Sequence, residues 1–230
     1  MRSLRQGFAA AVLGVAMAVC GTSNAGLIHS STQNCGGFSS CNDSAFLAIA
    51  AGLTLTFNDF SVDRFGGVLP ANGAVNGNIY SADFTLSSGA SGFGGSNSTQ
   101  VQHANGNGSA SEVGPVGSGF NGLLIIDFAN PLAAIGFGTV ELNGALETIT
   151  IFGLSGLLGT FSAVGGLFDY EGFVATAGDV ITRVVLNGDF YAIQNIQYAA
   201  AQVPEPSLLS LLGLGLAGLA FFGRRRLRQS

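Results

Sequence analysis

Val180-Ile181-Thr182-Arg183-Val184-Val185-Leu186 is rich in β-branched residues and closes on Asn187-Gly188, a dipeptide that favours turns. In an extended chain alternate side chains share a face, so 180, 182, 184 and 186 stand on one side and 181, 183 and 185 on the other. The same grammar recurs upstream. Leu53, Leu55 and Phe57 alternate with Thr54, Thr56 and Asn58, and Tyr80, Ala82, Phe84 and Leu86 alternate with Ser81, Asp83 and Thr85. Ile149 and Ile151 alternate with Thr148 and Thr150, and a last run spans 190–198. Leu123-Leu124-Ile125-Ile126 is apolar on both faces, as a central strand would be. Asn143-Gly144 and Asn187-Gly188 read as breaks between runs. Many short strands with no helical pattern between them predict an all-β, jelly-roll-like β-sandwich.

One short helix is expected near the start. Asn42 or Asp43 caps it, 45–51 are mostly helix formers, and Gly52 sits where a C′ glycine belongs. The stretch 87–122 differs from the rest, since 10 of its 36 residues are Gly, 8 Ser and 4 Asn. So polar a segment buries too little apolar surface to offset its ordering entropy, which predicts a mobile connection with one embedded strand around 99–103.

The two ends read as addresses. Arg2 and Arg5 precede an apolar run over 8–19, followed by Ser23-Asn24-Ala25. That order predicts a signal peptide over 1–25, cut by signal peptidase between Ala25 and Gly26. The rival is a lipoprotein signal acylated at Cys20, which Met17 and Val19 suit poorly because a small residue is wanted before the cysteine. At the other end Val203-Pro204-Glu205-Pro206 precedes 17 uncharged residues, 207–223, and then Arg224-Arg225-Arg226-Leu227-Arg228. Seventeen residues make roughly 25 Å of helix, the lower limit for a membrane span. Pro206 fixes the helix start, and Arg224, Arg225 and Arg226 stop transfer and stay inside. A buried C-terminal core helix would need no arginine cluster.

Between them lies one domain, 26–202. It carries twelve acids against two arginines, Arg64 and Arg183, a formal charge of −10, and the chain has no Lys. Such a surface repels phosphate backbones and excludes nucleic acid as a partner. Once Cys20 leaves with the signal, Cys35 and Cys41 remain. Their even count after export favours a disulfide over free thiols, and a metal site is third because His29 is the sole imidazole nearby.

The tail resembles the PEP-CTERM sorting signal of Gram-negative bacteria that make extracellular polysaccharide. The resemblance covers 203–228. It implies that exosortase, a membrane-embedded cysteine protease, cuts at Pro204, Glu205 and Pro206 while the precursor sits in the inner membrane. The central domain is similar, more loosely, to the β-sandwich common in such proteins. The similarity rests on Asp43-Ser44-Ala45-Phe46-Leu47, on 55–60, on Phe128-Ala129-Asn130-Pro131-Leu132 with Ile135-Gly136-Phe137, and on Asp169-Tyr170-Glu171-Gly172-Phe173-Val174 with 180–184. The last strand of that family usually carries an acidic pair, where this chain has Gln194-Asn195.

Catalytic chemistry is sparsely provided. A triad needs a base, and the histidines are His29 and His103, with no Gly-x-Ser-x-Gly elbow. Asp169 and Glu171 would project from one face, but exposed paired acids near a turn are more often solvated or calcium-binding than glycosidic. No Trp is present for sugar stacking, and Tyr80, Tyr170, Tyr191 and Tyr198 would have to substitute. A structural Ca²⁺ would draw on Asp59, Asp63, Asp169, Glu171, Asp179 and Asp189, although no known calcium loop occurs. The sequence therefore predicts a non-enzymatic protein of the cell surface or extracellular matrix. A carbohydrate-binding module whose partner is extracellular polysaccharide and a simple single-pass envelope protein are the alternatives.

Overall fold

The computed structural model describes residues 26–32, 43–105, 111–116, 119–163 and 168–202. Among them run β1 (Leu27–Thr32), α1 (Ser44–Ile49), β2 (Thr56–Asn58), β3 (Asn72–Asn76), β4 (Phe84–Gly89), β5 (Gln100–Asn105), β6 (Ser111–Pro115), β7 (Gly122–Gly153), β8 (Gly156–Ser162), β9 (Phe168–Ala175) and β10 (Ile181–Ala200). The ten strands form one hydrogen-bonded sheet, and the class is mostly β.

Two long strands explain how one sheet makes two layers. Ala200 pairs with Leu132, Tyr191 with Glu141, Gly188 with Leu146 and Ile181 with Gly153, so numbering falls along β7 as it rises along β10. The first half of β10 has a second neighbour, with Val184 beside Ile126 and Leu186 beside Leu124. One layer therefore runs from β4 through 122–128, 181–188 and 148–153 to β8. The other runs from β1 through β9 and 132–141 to 191–200, and on to β2 and to β6, β5 and β3. Their inner faces meet: Phe161 of β8 lies 5.1 Å from Phe173 of β9, and Phe84 of β4 lies 5.9 Å from Tyr198 of β10. The architecture is β-sandwich-like, with a single core of Leu124, Ile126, Ile149, Ile151, Val184 and Leu186 against Ile135, Phe137, Phe173, Ile193 and Ile196.

Asn143-Gly144 and Asn187-Gly188 do not separate strands. Gly188 pairs with Leu146 and Asp189 with Ala145, so both dipeptides lie where β7 and β10 turn together from one layer to the other. Pairing skips Phe190 and residues 142–144 there and resumes at Tyr191 with Glu141, so the ladder bends through a register irregularity. The alternation expected from 180 onward is also broken. Ile181 pairs with Gly153 and Arg183 with Phe152, leaving Thr182 as the extra residue of a bulge. Ile181 and Val184 are both buried as a result, while Arg183 reaches outward to Asp127, Nε to Oδ1 2.5 Å.

The stretch 87–122 holds more than one embedded strand. It contains the end of β4 and the β5–β6 pair, with Val101 opposite Pro115 and His103 opposite Val113. Val101 and Val113 are fully buried, so two valines anchor what composition alone reads as a connection.

The helix is shorter than expected. Asp43 occupies its N-cap without a side-chain bond to the backbone, Ala50 is its C-cap, and Gly52 (φ +89°) falls one residue past C′. Packing holds it. Gly136 and Gly172 are register partners on β7 and β9, and a Cβ at either would lie 2.8 or 2.5 Å from the Phe46 ring. The paired glycines form a seat for Phe46, which is fully buried. Asp43 Oδ2 accepts a bond from Gln197 Nε2 and ties the helix start to β10.

Candidate functional site

The end of the sandwich where the chain enters and leaves is the first candidate. Gly26 O accepts the Thr176 amide at 2.8 Å, and Leu27 pairs with Ala175. Gly26 has φ +101°, and a Cβ there would strike the Asp179 carboxylate, so both space and backbone call for glycine. Ala201 N donates to Pro131 O at 2.9 Å, and Ala200 pairs with Leu132. Ala134 pairs with Val174, so entry and exit share one end of the layer. Ala25, Cys35, Cys41, Pro204, Glu205, Pro206, Arg224, Arg225 and Arg226 lie outside the described residues, as does the apolar run 207–223. Among the described residues no helix is long and apolar enough to cross a membrane.

The candidate calcium acids do not converge. Asp59 Oδ1 accepts the Ser61 amide at 3.0 Å and hydroxyl at 2.6 Å, and Asp63 Oδ1 accepts the amides of Phe65 at 2.8 Å and Gly67 at 2.7 Å. These are turn-building bonds. Asp179 stands against Gly26, and Asp189 lies at the shared corner of β7 and β10. Among the described residues no three His, Cys, Asp or Glu gather as a metal would need.

Asp169 and Glu171 do share a face of β9, but it is the inner one, and each is 1% exposed rather than solvated. Glu171 Oε2 lies 2.6 Å from His29 Nε2, and Oε1 accepts the Ser31 hydroxyl at 2.8 Å. The His29 ring stacks on Phe173 with centroids 4.7 Å apart. Ser31 therefore gives its proton to the carboxylate and not to the imidazole, the reverse of what an activated serine requires. His103 is fully buried, with Nδ1 3.1 Å from the Tyr80 hydroxyl.

The four tyrosines cannot form a sugar platform, because all are 5% exposed or less. Burial alone raises the hydroxyl pKa of Tyr80 far above its usual value, and it dominates the rise at Tyr170 and Tyr191. Tyr198, which donates to Asp83 Oδ2 at 2.7 Å, is pushed up to about 12, by burial first and then by that carboxylate. Among the described residues the exposed aromatic rings are phenylalanines, which the sequence alone does not single out as a platform. Phe57 is 59% and Phe65 79% exposed, and the Arg64 guanidinium lies 4.8 Å over the Phe65 ring. Of the Gln194-Asn195 pair, Asn195 Oδ1 accepts the Gly138 amide at 3.1 Å and Gln194 is buried.

These features define a β-sandwich-like domain followed at once by a sorting tail. Residues 202–226 match the PEP-CTERM protein-sorting motif, and the chain carries that motif. The match marks an exported protein processed by exosortase, with its C-terminus anchored in the membrane before sorting. No curated protein matches this chain. Among solved structures it is similar to "CBM29_1, A Family 29 Carbohydrate Binding Module from Piromyces equi", at 8% identity and TM-score 0.36, over 69% of this chain and 99% of that one. A likeness this low carries no argument about ligand or topology.

Proposed function

We propose that the chain is a structural protein of the cell surface or extracellular matrix, delivered there when exosortase cuts its tail. One observation carries the reading: the sorting motif begins at 202, directly after the last strand, on a domain whose tyrosines are buried and whose histidines are bonded to Glu171 and Tyr80. Included in the proposal are a mature start at Gly26, a jelly-roll-like description of the strand path, a membrane helix over 207–223 and the absence of catalysis. The test is mass spectrometry of surface and shed protein from strains with and without exosortase. Glu205→Ala should leave insertion intact and block cutting, giving an uncut anchored form. A mature chain that keeps its tail through Ser230 in both strains would make it a single-pass envelope protein instead.

Carbohydrate binding is the second reading, supported by Phe57 and by Phe65 with its overlying Arg64. An apolar ring face exposed to solvent is a natural surface for a sugar ring. Phe65→Ala should then abolish retention on cell-derived polysaccharide. Intrinsic tyrosine fluorescence would be a poor reporter, since the rings are buried.

A further inference from the structure

We propose that the hairpin tip between β7 and β8, through Leu154 and Leu157, docks on the lipid surface that the C-terminal tail enters. The proposal rests on the reading that the tail is membrane-anchored before sorting.

Leu154 is 78% and Leu157 62% exposed, on a turn closed by the Gly153–Gly156 pair. The turn is held firmly. A Cβ at Gly153 would lie 2.5 Å from Val180 O, and Gly156 has φ +111°. The sequence around it is suited to lipid, since no charged residue occurs from 148 to 168.

Position decides the partner. Gly153 pairs with Ile181, Ile181 also pairs with Leu132, and Leu132 pairs with Ala200. The tip and the exit of the chain are therefore at the same end, three strand spacings or roughly 14 Å apart. From Ala200 to Ser207 the chain can reach at most about 25 Å, so a tail anchored from 207 onward keeps this end against the bilayer. Of the charges at this end, Arg183 pairs with Asp127 and Asp83 accepts from Tyr198, while Asp179 is half-buried against Gly26. The contact is thus apolar, and tethering makes even two leucines effective because the local lipid concentration is high. A domain seated in this way would hold Pro204-Glu205-Pro206 at the interface instead of letting it swing.

The chain has no Trp, so one introduced tryptophan reports one place. The full chain is reconstituted in phosphatidylethanolamine/phosphatidylglycerol vesicles with and without brominated acyl chains. Four variants are compared: Leu154→Trp, Leu157→Trp, Leu211→Trp in the tail, and Ser96→Trp at the opposite end of the sandwich. The expected result is blue-shifted, bromine-quenched emission from positions 154, 157 and 211, unchanged by added salt, and no quenching at 96. Quenching at 211 without quenching at 154 or 157 overturns the docking and leaves the anchored tail standing. No quenching at 211 overturns the tail reading and the docking with it. Equal quenching at 96 overturns the docking in favour of non-specific adsorption.

Discussion

The Tyr191 hydroxyl accepts the Leu124 amide at 2.8 Å and lies 2.9 Å from Leu186 O and 3.1 Å from Gly122 O, one of which takes its proton. It pins the corner of β10 to the strand beside it from inside the core. Tyr191→Phe strands a buried donor and acceptor, which should cost about 1–3 kcal/mol; a lower urea midpoint at unchanged slope would show it. Glu112 behaves differently. It is 4% exposed, its Oε1 has no partner among the described residues, and burial raises its pKa from 4.5 to about 7. A raised carboxyl pKa means that the folded state holds its proton longer than the unfolded chain, so stability falls as pH rises from 4.5 to 7. Glu112→Gln should flatten that slope, by on the order of 2 kcal/mol across the window; thermal melts at pH 5 and pH 7 compare the two proteins, and parallel curves would sink the account. The sequence hid both residues. Glu112 sits in a stretch dominated by Gly, Ser and Asn, and a tyrosine on a half-apolar run reads equally as platform or pin.

At the scale of elements, local alternation made the all-β class legible, and the seat of Phe46 draws together three of the segments on which the family resemblance rests. What sequence could not show was which turn signals end a strand. Asn187-Gly188 and Asn143-Gly144 are ordinary turn dipeptides, and only the pairing of β7 with β10 on either side of them makes them a corner; pairing between distant segments is invisible to a window of ten residues. The Thr182 bulge escaped for the same reason, because its partner is 30 residues away. Between β1 and α1 the chain carries Cys35 and Cys41, at a junction where both neighbours pack on β9. A disulfide closing this short loop would restrict the unfolded chain by about 2 kcal/mol. Exported protein should therefore resist alkylation until reduced, then gain two labels by intact mass and melt lower. Two labels without reductant would end the idea.

For the whole molecule, the address and the fold divide at the end of β10. Ile193, Ile196, Tyr198 and Ala199 are buried to 5% or less, and β10 is central to both layers, so the strand is part of the core up to its last turn. Ala201 still donates to Pro131, and the sorting motif begins at the next residue. The division makes two truncations behave in opposite ways. A chain ending at Gln202 should melt like the full domain and lose its membrane association, because it removes the address and none of the described packing. A chain ending at Gln194 loses Ile196, Tyr198 and Ala199 and uncovers β2 and the edge of 132–138, which removes several buried side chains worth about 2 kcal/mol or more each. It should not fold, since the sum approaches the whole stability of a domain. Circular dichroism and vesicle flotation of the two truncated chains read fold and address separately. A 1–202 chain that is unstable would show that the tail is part of the domain, and one that still floats would show that the address does not lie in the tail alone; either result removes the division.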